Sequence, residues 1–236
     1  MGSENLFHKK RAGRKKREEE IREQRKTQWL IVCEGFTEQH YFKGFVDSLN
    51  IAGDSNIDIR TVGEGSNTKR LINNVEKYFD FVDIEYGKQR IPYENEKMIF
   101  VFDKDDFPAN NFNTAINIAT TRYPGCTVAW SNESFELWLC LHFEYIQSSL
   151  RRNEYNDKLT KIFRKNGIFT KRQDFDSNGK NDPQLYEKIK QCNGDIDNAI
   201  KWARALKASK TTNNPAKANP ATMVFEAVDA LINDLS

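Results

Sequence analysis

One stretch of the chain, residues 98–108, constrains the fold more than any other. It begins with five apolar residues, MIFVF, and then has three acids within four positions, Asp103, Asp105 and Asp106. An apolar run of this length predicts a strand that is buried on both faces. Because side chains alternate along a strand, Asp103 and Asp105 can point the same way, and a cation would relieve their repulsion. The stretch alone is equally consistent with a Mg²⁺ or Mn²⁺ site and with an acidic turn closed by Asp-Phe-Pro.

The preceding and following segments alternate strands with helices. Apolar runs predict strands at 29–33, 57–62, 97–102 and 126–130. The spacing of apolar residues predicts helices at 37–49, with Thr37 as its N-cap, and at 69–86, 113–121 and 133–143. This alternation predicts an α/β domain with a mostly parallel sheet, in which ligands bind beyond the carboxyl ends of the strands. Four polar residues follow strands directly, which favours the metal site over the turn: Glu34, Asp103, Asp105 and Asn132.

The charge distribution separates an arm from a body. Residues 1–26 hold ten Lys or Arg and five acids, so this segment carries +5 against −3 for the remaining residues. We therefore divide the chain into a basic N-terminal arm (1–27), an α/β domain (28–145) and a helical C-terminal region (146–236). A basic arm on a mildly acidic body favours nucleic-acid binding through phosphate charge. A solvated tail, rich in Lys and Arg for solubility, is the alternative.

Two further segments are candidates for phosphate binding. Gly63 and Gly65 form a G-x-G turn before a predicted helix, and such turns can cradle phosphate with backbone N–H groups, although an ordinary tight turn has the same pattern. Lys210 and Lys217 lie in a polar loop at 208–221, where they reach either a phosphate or solvent. Between the predicted C-terminal helices, residues 165–182 are predicted to form a mobile loop.

Composition excludes several classes of protein. The four cysteines match no zinc or disulfide spacing, and no apolar run approaches the ~20 residues of a membrane span. These features predict a cytoplasmic protein without a membrane partner. The chain also lacks a P-loop motif, so we do not expect it to hydrolyse ATP itself.

Four sequence blocks together resemble one protein family. A strand ending in Glu-Gly before a helix, with a later strand ending in Asp-x-Asp, resembles the Toprim fold of topoisomerases, primases and several nucleases. The blocks are IVCEGFTEQHYFKGF at 31–45, VFDKDD at 101–106, SNESFELWLCLHF at 131–143 and NPAT at 219–222. Their order and spacing resemble the RloB family, Toprim-like proteins of bacterial defence and restriction-linked loci. The resemblance implies a Toprim-like Rossmannoid α/β domain with a helical C-terminal extension.

The resemblance also implies roles for individual residues. Asp103 and Asp105 would hold Mg²⁺ (or Mn²⁺) with help from Asp106, and Glu34 would act as acid/base or as a further ligand. Supporting positions are less specific: Glu38, Asn132 and Glu136. Clustered carboxylates with Mg²⁺ suit phosphodiester cleavage.

We therefore expect a metal-dependent nuclease of anti-phage defence (abortive infection), acting on RNA, possibly tRNA, or on DNA. The alternative is a non-catalytic partner that binds nucleotide or nucleic acid beside an AAA-type ATPase, because RloB-like proteins are often encoded near one. The sequence does not indicate an oligomeric state.

Overall fold

The structure, a computed structural model, describes Lys16 and residues 29–49, 57–61 and 94–235 of the chain. The predicted basic arm at 1–27, apart from Lys16, lies outside these residues. The same holds for the turn at Gly63 and Gly65 and for the predicted helix at 69–86. Of the strand at 57–61, the structure describes the backbone alone.

A single sheet of five strands organises the described part of the chain. Its strands, in sequence order, are β1 (Trp29–Cys33), β2 (Ile57–Thr61), β3 (Met98–Asp103), β4 (Thr127–Asn132) and β5 (Ala221–Thr222). They lie in the order β2-β1-β3-β4-β5, and the first four run parallel while β5 pairs antiparallel with β4. Every residue of β1 and β3 is buried, as their continuous apolar runs predict. The α/β class and the mostly parallel sheet are confirmed.

The strand register brings three polar residues to one edge of the sheet. Cys33 of β1 lies opposite Val101, so β3 extends two residues further, to Asp103. Glu34 continues the ladder, since its backbone N–H donates to the carbonyl of Val101 at 3.0 Å. Asp103 in turn lies opposite Ser131, and β4 ends one residue later at Asn132. The carboxyl ends of the three neighbouring strands therefore present Glu34, Asp103 and Asn132 at the same edge.

Seven α-helices pack around this sheet within the described residues. They are α1 (Phe36–Ser48), α2 (Ala109–Arg122), α3 (Glu136–Leu141), α4 (Arg152–Lys165), α5 (Leu185–Gln191), α6 (Ile196–Ala208) and α7 (Val224–Leu235). Two predicted starts are wrong. Helix α1 begins one residue before Thr37, and its N-cap is Gly35. Helix α2 begins directly after Pro108 rather than at residue 113. Proline at a helix start costs no hydrogen bond, because the first N–H groups lack a partner anyway. Among the helices that the structure describes, none has the length and hydropathy that crossing a membrane requires.

The predicted mobile loop at 165–182 is wrong, because part of it packs into the core. Residues Phe175–Gly179 form a single π-helical turn. Phe169 and Phe175 are buried and meet Phe163 of α4 edge-on, with ring centroids 5.0 Å and 5.8 Å apart. The segment is polar on average, but these two aromatic side chains hold it against α4.

Helix α3 is buried on all sides and forms the centre of an aromatic cluster. The side chains of Phe135, Trp138 and Leu139 belong to the core. His142 is also buried, and its Nε2 lies 3.0 Å from the hydroxyl of Tyr41. Burial lowers the pKa of His142 to about 3, so the imidazole is neutral at physiological pH.

Candidate active site

Five carboxylates gather where β1 and β3 end, beside the first turns of α1 and α3. Glu34 lies in the turn after β1, and Glu38 lies in the first turn of α1. Asp103 is the last residue of β3, Asp105 lies two positions later, and Glu136 begins α3. The side chains of Glu38, Asp103 and Glu136 are buried, with exposed fractions of 6%, 2% and 3%. Buried acids are rare unless they are paired or bind a cation, so this cluster is the main functional candidate in the described part of the chain.

The turn between β1 and α1 packs two of these acids closely. Glu34 Oε2 accepts a hydrogen bond from the backbone N–H of Asp103 at 3.2 Å, which joins β1 to the end of β3. Gly35 makes room for the next acid, since a Cβ atom at this position would lie 2.9 Å from Glu38 Oε2. Any larger residue at position 35 would therefore displace the carboxylate of Glu38.

The two aspartates converge by a route that strand alternation does not predict. Asp103 is the last residue of β3, and its Oδ2 accepts a hydrogen bond from the backbone N–H of Phe135 at 2.9 Å. Asp105 lies beyond the strand in a left-handed conformation with φ of 41°, where its N–H donates to the carbonyl of Glu133. A tight turn, rather than a continued strand, brings its carboxylate beside that of Asp103.

Arg152, the first residue of α4, lies among these carboxylates. Its Nη2 is 2.9 Å from Asp103 Oδ2 and 2.6 Å from Asp105 Oδ1, and its Nε is 3.5 Å from Glu136 Oε2. Lys180 approaches Glu136 separately, with Nζ 3.4 Å from Oε1. Neither cation follows from a local sequence pattern, because the acids of the cluster that they contact lie 16 or more positions away along the chain.

Burial and mutual repulsion raise the pKa values of four carboxyl groups: Glu34, Glu38, Asp103 and Asp105. Burial raises the pKa of Glu34 to about 8, with the nearby charges of Glu38 and Asp105 adding to the effect. Burial raises the pKa of Glu38 to about 7 and that of Asp105 to about 6, although Arg152 opposes both shifts. The pKa of Asp103 is also raised, by burial first and then by the charge of Glu38. Carboxyl groups with pKa values near neutrality are typical of functional sites.

Three buried carboxylate oxygens in the cluster have no hydrogen-bond partner: Glu38 Oε2, Asp103 Oδ1 and Glu136 Oε2. Buried polar atoms are normally paired, so these acceptors indicate that a cation or donor completes the cluster. Oxygen atoms are also the ligands that Mg²⁺ and Mn²⁺ prefer. In chemistry, then, the residues fit such an ion. Their geometry around Arg152 is not that of a formed metal site. In the described ranges, no group of three or more Asp, Glu, His or Cys is placed to hold a metal ion.

The other predicted site residues lie at the margin of the cluster or apart from it. Asn132 is buried, but its Nδ2 donates to the carbonyls of Pro215 and Ala216, so it anchors the loop at 208–221. In that loop Lys210 donates to the carbonyl of Asn219 at 3.2 Å, and Lys217 is exposed.

A cavity of about 460 Å³ adjoins the cluster on the side of this loop. Asp105, the exposed Asp106, Asn132 and Arg151 line it, with the loop residue Asn219 on the other side. The volume is sufficient for a nucleotide-sized ligand, since small-molecule sites span about 300–1,000 Å³. The cavity therefore gives a ligand access to Asp105.

Comparison with known proteins assigns the family but no closer relative. A family model described as RloB-like protein matches residues 29–231. No curated protein and no solved structure matched the chain. The matched range contains all five strands and every member of the carboxylate cluster, together with Arg152 and Lys180. Because the match covers most of its length, the chain belongs to the RloB-like family.

Proposed function

We propose that this protein is a metal-dependent nuclease that hydrolyses phosphodiester bonds at the carboxylate cluster. One observation carries the proposal: a cluster of buried carboxylates, three of whose oxygens make no hydrogen bond, lies beside the carboxyl ends of two parallel strands, where α/β proteins bind their ligands. The resemblance of the Glu-Gly turn at 34–35 and the Asp-x-Asp at 103–105 to Toprim nucleases supports it. A divalent cation, Mg²⁺ or Mn²⁺, would supply Lewis-acid stabilisation of the phosphoryl oxygens when bound.

The residues of the cluster divide into two roles in this proposal. Asp103 and Asp105 would hold the cation, with Glu34, Glu38 or Glu136 completing its ligands. Glu34 is also suited to hold and release a proton, because its pKa of about 8 lies close to neutral pH. Asp106 lines the cavity rather than the cluster and is exposed, so it would contact a bound ligand or water instead of a buried ion.

The proposed substrate is RNA, possibly tRNA, or DNA, and the proposed setting is anti-phage defence, with an AAA-type ATPase as a possible partner. A nucleic-acid strand carries its phosphates along an exposed backbone, which matches a site that opens into a cavity at the surface. The net charge of +5 on residues 1–26 would add attraction that does not depend on sequence.

Titration of Mn²⁺ by calorimetry tests the first step, with the wild type compared with Asp103→Asn. Asparagine keeps the acceptor for the N–H of Phe135 but removes the charge, so we expect at least tenfold weaker binding. The matched control is Asp229→Asn, because Asp229 also pairs with an arginine, Arg204, but lies on α7 outside the cluster. Equal Mn²⁺ affinity in all three proteins would contradict the proposed site. Cleavage of labelled RNA and DNA by the same proteins then tests the chemistry.

The second candidate function is a non-catalytic partner that binds nucleotide or nucleic acid. The placement of Arg152 favours it, because the guanidinium already neutralises part of the charge of Asp103 and Asp105. Metal binding without turnover of any nucleic acid, or nucleic-acid binding that Asp103→Asn does not change, would support this candidate over the nuclease.

A further inference from the structure

Arg152 makes the closest charged contacts in the cluster, and it reaches the two aspartates that the proposed function assigns to the metal. One nitrogen, Nη2, is within 3 Å of both Asp103 Oδ2 and Asp105 Oδ1. A divalent ion that used these same two oxygens would repel Nη2, because the guanidinium and the ion both carry positive charge. An ion bound through Asp103 Oδ2 and Asp105 Oδ1 would therefore take the place of the guanidinium.

The charge of the cluster favours this exchange. Five acids, Glu34, Glu38, Asp103, Asp105 and Glu136, face two basic side chains, Arg152 and Lys180, among the residues described. Lys180 contacts Glu136 and Asp176 and does not pair with Asp103 or Asp105, so it can remain in place when an ion enters. Exchange of a singly charged guanidinium for a doubly charged ion would bring the cluster closer to neutrality.

The position of Arg152 allows its side chain to move without a change in the fold. Its backbone begins α4, whereas its side chain is 37% exposed and extends into the cluster from the surface. Its Nε makes no hydrogen bond, although it lies 3.5 Å from Glu136 Oε2, so the contact of the guanidinium with Glu136 is a loose one. The preceding residue, Arg151, lines the adjoining cavity, so a guanidinium that leaves the aspartates has an open space beside it.

We propose that Arg152 is a built-in counter-ion that holds Asp103 and Asp105 together until a divalent ion displaces it. The freed guanidinium then binds a phosphate of the incoming nucleic acid, for which its planar fork of donors is well matched. This inference rests on the proposed function, since it assumes that the two aspartates bind the ion. It assigns Arg152 two successive ligands, carboxylate before the metal and phosphate afterwards.

The test compares Mn²⁺ binding by the full-length wild type, Arg152→Gln and a control, Lys158→Gln, by calorimetry after removal of divalent ions. Lys158 is on the same helix and pairs with Glu144, outside the cluster. We expect at least tenfold tighter Mn²⁺ binding by Arg152→Gln and no change in the control, because one charge-assisted hydrogen bond corresponds to about a tenfold change in affinity. We also expect weaker binding of a labelled oligonucleotide by Arg152→Gln in the presence of Mn²⁺.

Unchanged or weaker Mn²⁺ binding by Arg152→Gln, with normal binding by the wild type, would overturn the inference and leave the proposed function standing. Absence of Mn²⁺ binding in every variant would instead contradict the proposed metal site itself. If Arg152→Gln does not fold, NMR of ¹⁵N-labelled arginine in the wild type provides the same answer. The Nε signal of Arg152 should shift as Mg²⁺ is added, and a signal that stays constant while Mg²⁺ binds would refute the exchange.

Discussion

Replacing Glu34 by glutamine should stabilise the metal-free protein, although Glu34 lies at the centre of the candidate site. Burial raises the pKa of its carboxyl group to about 8 from an ordinary value of 4.5. Between these two pH values the folded protein binds a proton that the unfolded chain releases. The stability of the wild type therefore falls as pH rises through this range. Glutamine has almost the same shape, can accept the same hydrogen bond from Asp103 N–H and carries no charge to bury.

The size of the effect follows from the width of that range. Each pH unit between 4.5 and 7 contributes about 1.4 kcal/mol, which amounts to about 3 kcal/mol at pH 7. Glu34 is only partly buried, and solvent screening reduces the expected gain to about 2 kcal/mol. The gain should shrink as the pH falls and vanish below pH 4.5, where the wild-type carboxyl is neutral in both states.

Urea unfolding at several pH values between 5 and 8, with EDTA present, measures this difference directly. Glu144→Gln is the control, since Glu144 is partly exposed and pairs with Lys158 outside the cluster, so its replacement should change stability by less than about 0.5 kcal/mol. Addition of Mn²⁺ should narrow the gap by stabilising the wild type more than Glu34→Gln. If Glu34→Gln is no more stable than the wild type at pH 7, burial of this carboxylate does not lower the free energy of unfolding.

Two further predictions concern the core. His142 has a pKa of about 3 in the folded protein and 6.5 ordinarily, so the stability of the wild type should fall as the pH drops below 6.5. In urea unfolding, the wild type should lose about 2 kcal/mol more than His142→Gln between pH 7 and pH 5. Parallel pH profiles of the two proteins would disprove a buried neutral imidazole. Phe175→Ala should lower the free energy of unfolding by about 3 kcal/mol, because the side chain is fully buried against Phe163. Phe175→Leu should lower it by less than half as much. A loss below about 1 kcal/mol in Phe175→Ala would mean that this turn contributes little to the core.

The part of the candidate site that follows from sequence is the part built on consecutive residues. Glu34 and Asp103 each come directly after a buried apolar run, and parallel strands bring such residues to one edge. Asp105 was also predicted beside Asp103, but it reaches this position through a left-handed turn that alternation cannot anticipate. Arg152 was not predicted, because it meets Asp103 across 49 positions of sequence and stands in an ordinary charged helix start.

The errors in the fold have the same origin. Strand β5 has only two residues, which is too short to show the alternation of apolar and polar side chains. The sequence therefore predicts a loop up to residue 221, where the structure has a strand that extends the sheet. The segment at 165–182 is polar on average, yet Phe169 and Phe175 within it are buried in the core. Composition describes a whole segment, whereas packing depends on a few side chains whose partners are distant in sequence.

Strand β5 and helix α7 also affect how this chain is made. Until residues 221–235 leave the ribosome, β4 has no neighbour on one side and exposes a row of unpaired backbone groups. An open edge of this kind can pair with another nascent chain. Helix α7 then ties the finished sheet together, because Asp234 accepts a hydrogen bond from the indole of Trp29 at 2.7 Å, across 205 positions of sequence. Completion of this sheet must therefore wait until residues 221–235 have been synthesised, and protection of β4 by a chaperone would be most valuable before that point.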